Sequence, residues 1–191
     1  MKKLSILITI IISIVLTACS ATKTAKYSET ELSNFKTLVE SQRFNFNPRW
    51  ANPMGTQSLN AIANAGLLAP GSTVNRIDLI GTAGFFTVKG DSVMADLPYY
   101  GERQMGGAYN PNDIGINFEG VPRKFKLTFN EKKQAYEIKF DINNGTEVFN
   151  VNGVLFPNKK AMLFINTSQR LTIQYQGDFE ELDDKENVMQ L

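Results

Sequence analysis

In Lys124-Phe125-Lys126-Leu127-Thr128-Phe129, and again in Tyr136-Glu137-Ile138-Lys139-Phe140-Asp141-Ile142, apolar and polar residues alternate one for one. A strand sends successive side chains to opposite faces, so this period of two marks two strands, each with one buried and one wet face. A helix would instead place its apolar residues three and four apart. The polar segment Asn130-Glu131-Lys132-Lys133 joins the two runs and predicts an antiparallel hairpin.

Working outward, short runs rich in Phe, Ile, Val and Thr recur between Gly, Pro, Asn and Asp. They predict further strands over 43–50, 74–80, 83–89, 91–97, 114–118, 147–156, 160–167 and 170–177. Turns are expected at Lys89-Gly90-Asp91 and Asn143-Asn144-Gly145. Near the start of this region Ser28 and Glu31 have the spacing of a capping box, and Leu32, Phe35, Leu38 and Val39 share one helical face, so a helix is predicted over 29–42. Residues 51–73 are read less directly: 58–68 forms either a short helix or a loop over the sheet. With no helical pattern between the strands, a parallel βαβ fold is disfavoured. The expected fold class is mainly β: a single antiparallel sandwich or partly closed barrel of about ten short strands with one N-terminal helix.

The N-terminus carries a different signal. Lys2 and Lys3 precede an uncharged apolar run over 4–16, and the run ends in Leu16-Thr17-Ala18-Cys19. This is the order of a secretory signal, and a cysteine directly after small residues is the attachment point of bacterial lipoprotein processing. The apolar run would extend roughly 20 Å as a helix, short of the hydrocarbon core of roughly 30 Å, which argues against a permanent span. The reading divides the chain into a lipoprotein signal peptide at 1–18, a lipidated tether at 19–28, a β-rich domain at 29–178 and an acidic C-terminal tail at 179–191. Cys19 is the expected lipid site, anchoring the protein to a membrane of the cell envelope, with the periplasmic face of the outer membrane as the expected location. Two or more acyl chains make such an anchor stable.

Cys19 is also the sole cysteine, and there is no histidine. Lipidation consumes the thiol, so the domain has no disulfide, no Cys or His nucleophile or base, and no Cys/His zinc site. No cofactor and no metal are expected. Removing Lys2 and Lys3 from the 20 basic residues leaves 18 against 19 acidic ones, a net charge of −1. These charges are dispersed, so nucleic-acid binding has no electrostatic support.

At Leu97-Pro98-Tyr99-Tyr100-Gly101-Glu102-Arg103 the chain resembles domain-of-unknown-function family 4251 of bacterial lipoproteins. Arg43-Phe44-Asn45-Phe46, Pro53-Met54-Gly55, Gly106-Gly107, Gly115-Ile116-Asn117-Phe118 and the run from Arg170 to Gly177 complete the ordered set, which covers most of 40–178. The stretch between Met54 and Asp78 is longer than the family pattern. The resemblance implies an envelope lipoprotein domain and supplies no activity and no catalytic residues.

The densest candidate binding feature is the same segment. Tyr99, Tyr100, Glu102, Arg103 and Tyr109 place aromatics, a cation and a carboxylate on an expected loop. Such a loop either stacks a sugar or cradles an anion, or it simply closes one end of the core. Three functions remain open. One is a non-enzymatic module that binds an envelope protein or glycan. A second is a carrier of a small apolar ligand in a cavity lined by Phe86, Phe125, Phe140 and Phe164. The third is a hydrolase using two carboxylates drawn from Asp96, Glu102, Asp113 and Glu119.

Overall fold

The hairpin read from the alternation forms the right-hand end of one long antiparallel sheet. A computed structural model describes residues 27–105 and 115–182. Its strands are β1 (Arg43–Pro53), β2 (Ile77–Asp78), β3 (Phe85–Lys89), β4 (Ser92–Leu97), β5 (Ile116–Gly120), β6 (Arg123–Asn130), β7 (Ala135–Asn144), β8 (Glu147–Leu155), β9 (Lys160–Thr167) and β10 (Ile173–Glu181). The hydrogen-bonded order is β5-β4-β3-β1-β10-β9-β8-β7-β6, with the two-residue β2 beside β1. From β6 to β10 each strand pairs with the next, and β1 then joins β10 to β3.

The sheet curls into a half-barrel. Its two edge strands, β5 and β6, are separated in sequence only by Val121-Pro122, so chain continuity draws the ends of the sheet together. No ladder forms across this seam. Instead Asn144 donates to Asn117 O at 2.9 Å, and the Phe118 ring of β5 meets Phe140 of β7 and Phe149 of β8 at 6.1 and 5.4 Å. Of the two expected architectures, the partly closed barrel is the one adopted.

The inner face carries Phe44, Phe46, Phe86, Phe118, Ile138, Phe140, Phe149, Ile165 and Tyr175, all buried. In the founding hairpin, Tyr136, Ile138, Phe140 and Ile142 are buried, whereas Phe125, Leu127 and Phe129 are partly so because β6 is an edge. Helix α1 (Glu29–Glu40) packs Phe35 and Val39 on this core, with Phe35 edge-on to Tyr136 and Phe179. Ser28 and Glu31 make the predicted capping box, which satisfies amide donors the first turn leaves free.

Three differences from the sequence reading have simple causes. A second helix, α2 (Gln57–Asn64), forms inside the ambiguous 51–73 stretch. Thr56 caps it, and it ends before Gly66 at φ 69°. The strand expected over 74–80 shrinks to Ile77–Asp78 because the backbone turns on both sides of it, Thr73 and Arg76 exchanging hydrogen bonds before it and Thr82 N donating to Leu79 O after it. The final strand runs on through Glu181 and buries Phe179, so the acidic tail expected from 179 begins inside the sheet.

Opposite β10, β1 bulges between Pro48 and Trp50. Gly177 sits against this bulge, where a Cβ would lie 2.0 Å from Asn47 O, so only glycine lets the two backbones approach.

Candidate functional site

Tyr99, Tyr100, Glu102 and Arg103 are drawn into the closure of the barrel. The Tyr99 hydroxyl donates to Leu171 O at 3.1 Å, and the half-buried Tyr100 packs on the core. The Glu102 carboxylate accepts from the Ser58 and Thr56 hydroxyls at the start of α2, which holds its pKa below the usual value. Arg103 donates to Gln169 Oε1 at 2.7 Å and lies 3.9 Å from Glu147.

Beneath them is an ion pair that the sequence reading did not single out. Arg170 and Glu147 are each 4% exposed, and Arg170 Nε donates to Glu147 Oε1 at 3.1 Å. The same guanidinium donates to Gly115 O at 2.7 Å and lies 5.4 Å from the Tyr99 ring centroid. Tyr175 completes the closure by donating to Pro98 O at 2.8 Å, and burial pushes its phenol pKa well up. These side chains spend their polar atoms on one another, on backbone carbonyls and on the start of α2, which is the chemistry of a structural clasp. Tyr109 and Cys19 lie outside the described residues.

The rings expected to line an interior cavity instead fill it. Phe86 and Phe125 both stack on Phe140, at 5.9 and 6.1 Å. The space enclosed by Phe44, Phe46, Phe86, Ile138, Gly153 and Leu163 is about 10 Å³, room for about one water. Phe164 does not face the interior at all. It is 37% exposed, because its buried neighbours Leu163 and Ile165 take the inner positions of β9 and alternation turns Phe164 outward.

The carboxylates do not converge. Asp96 and Glu119 lie exposed on the outer faces of β4 and β5, Glu102 binds the start of α2, and Asp113 lies outside the described residues.

The concave surface is on the outer face of the sheet, around Trp50. Register places Trp50 of β1, Gln176 of β10 and Met162 of β9 in one row. Phe156, Asn158 and Tyr27 add walls to a groove of about 560 Å³. Gly177, which faces the β1 bulge between Pro48 and Trp50, is among the residues that line it. Two guanidiniums flank the indole, Arg76 at 4.4 Å and Arg49 at 5.3 Å from the ring centroid. Arg49 pairs with Asp78 at 3.3 Å, and Lys160 with Asp178 at 2.6 Å.

The next row runs Asn52, Gln174, Phe164 and Asn152. Asn52 Oδ1 is buried there without a hydrogen-bond partner among the described residues. The sequence contained one pointer to this site, a lone tryptophan in a strand. Its neighbours in the groove come from distant segments, and their meeting depends on the sheet order.

The domain is thus a curled antiparallel half-barrel with a filled interior and an aromatic groove on its convex face. The chain belongs to the DUF4251 family: the model of the domain of unknown function DUF4251 matches residues 26–179. Among solved structures it is similar to a DUF4251 family protein from Bacteroides eggerthii DSM 20697, with a TM-score of 0.52 at 12% identity, covering 80% of this chain and 88% of that one. At that identity the likeness is one of fold. A comparison with curated proteins finds no match.

Proposed function

We propose that this protein is a lipid-anchored lipoprotein of the cell envelope whose domain binds a partner without catalysing a reaction, and that the Trp50 groove is its binding surface. The groove carries the proposal. It is concave, aromatic and ringed by hydrogen-bonding side chains, while Tyr99 and Arg103 are engaged by Leu171 and Gln169 and Glu102 by the start of α2. The signal-like order from Lys2 to Cys19 supports the anchor. Only seven residues separate Cys19 from Tyr27 on the groove wall, so eight residue steps give a reach of at most about 28 Å. Whatever occupies the groove is therefore held close to the membrane.

Two measurements test this reading. Alkyne-palmitate should label the wild type and partition it into detergent, whereas Cys19→Ser should do neither; equal labelling removes the anchor. Trp50 is the sole tryptophan, so a saturable change in its fluorescence on titration with host envelope extract reports occupancy of the groove. An unchanged spectrum removes the binding role.

A further inference from the structure

We propose that the Trp50 groove is a site for a neutral oligosaccharide, a reading that rests on the groove being the binding surface. Three properties of the groove converge on this ligand. The first is the platform. A pyranose ring presents an apolar C–H face that stacks on a flat aromatic surface, and Trp50 lines the groove with one; Arg76, the nearer guanidinium at 4.4 Å, is not among the groove-lining residues, and Arg49 lies farther off at 5.3 Å. Phe156 and Met162 extend the apolar surface along the groove.

The second is the hydrogen-bonding set. Gln176 and Asn158 line the groove, and Asn52, Gln174 and Asn152 continue it across the sheet. A carboxamide has both donors and an acceptor, the dual capacity of a sugar hydroxyl; Gln176 presents one in the groove, whereas Gln174 already donates to Met162 Sδ, Asn152 to Asn150 Oδ1, and Asn158 Oδ1 accepts from Lys160 N. In the neighbouring row the buried Asn52 Oδ1 has no hydrogen-bond partner among the described residues.

The third is the charge balance. Lys160 and Asp178 neutralise each other on the groove wall, as do Arg49 and Asp78 beside the indole. Arg76 packs over the ring and keeps its charge. A strongly charged ligand would have to break these pairs, whereas a neutral one need not. Size separates a glycan from a protein partner. Small-molecule sites occupy about 300–1,000 Å³ and are concave, a range that includes this groove of about 560 Å³. A stable protein interface takes about 800 Å² of broad surface from each side.

The test uses the full mature chain, titrated with tetra- to hexasaccharides of the malto, cello, xylo and manno series, and with oligogalacturonate as an anionic counterpart. Trp50 fluorescence and calorimetry are the readouts. At least one neutral series should saturate. Trp50→Ala should weaken its calorimetric affinity by at least about tenfold, a loss of about 1.4 kcal/mol. Trp50→Phe should retain most of the affinity, and Gln176→Ala should weaken it while leaving the fluorescent reporter in place.

Binding of oligogalacturonate alone overturns the proposal, as does a neutral affinity that Trp50→Ala leaves unchanged. Envelope extract separates the two levels of the argument. A fluorescence change that survives protease digestion of the extract supports the glycan. One abolished by protease overturns the glycan but leaves the binding role standing, and silence towards both extract and sugars removes both.

Discussion

Replacing Arg170 by Ala tests the structural account of the clasp most severely. The guanidinium is 4% exposed and donates to both carboxylate oxygens of the equally buried Glu147 and to Gly115 O. Removing it leaves the buried carboxylate with only the more distant charge of Arg103, at 3.9 Å, and takes a donor from the Gly115 carbonyl near the seam. Breaking a buried pair on one side costs about 3–5 kcal/mol, a large share of the roughly 5–15 kcal/mol that holds a domain folded. With a urea slope of about 2 kcal/mol/M, the midpoint should fall by about 2 M. The assay is urea unfolding followed by far-UV circular dichroism and by the emission of Trp50, which lies in β1 and does not touch the pair. The double variant Arg170→Met with Glu147→Leu removes both charges and should regain most of the lost stability. A single variant within about 1 kcal/mol of wild type would refute the reasoning, since that is the scale of an exposed pair. So would a double variant no more stable than the single, because the cost would then come from lost packing and not from an orphaned charge.

Other expectations follow from particular contacts. Phe140→Ala removes the ring between Phe86 and Phe125 and should cost about 3–5 kcal/mol in the same urea assay. Gly177→Ala forces a Cβ to 2.0 Å from Asn47 O, so its melting temperature should fall well below that of Gly66→Ala. At Gly66 the space is open, and only the left-handed backbone costs about 1–2 kcal/mol. Stability should also decline at alkaline pH. Burial raises the Tyr175 phenol pKa in the fold, so its contribution is complete below the unfolded value of about 10 and is lost as pH rises from there towards the folded value. Urea midpoints across that range should fall less steeply in Tyr175→Phe; identical slopes would count against the assignment.

Legibility followed the range of the forces involved. The capping box of Ser28 and Glu31, the 123–144 hairpin and the glycine turns depend on residues a few positions apart, and the chain announces them directly. Helix α2 was half legible. Thr56 is a sound cap, but the Ala/Asn-rich run after it has no strong apolar face, and Leu59 is its one buried residue. The Tyr99 segment was visible as a concentration of polar and aromatic residues, yet its role was not. Whether a tyrosine stacks a ligand or donates to Leu171 O depends on where a residue 72 positions away comes to rest.

By itself the sequence determined the strand content, the capped helix, the lack of Cys and His chemistry in the domain and the family resemblance, because period, local hydrogen bonding and composition are written along the chain. The tertiary structure alone decided that the sheet curls, that its phenylalanines fill the interior, that Phe164 faces out, and that Trp50, Gln176, Met162 and Phe156 share one groove. The physical reason is register. Alternation tells which residues of a strand share a face, but only the order of strands determines which faces are joined and whether the surface between them is flat or hollow.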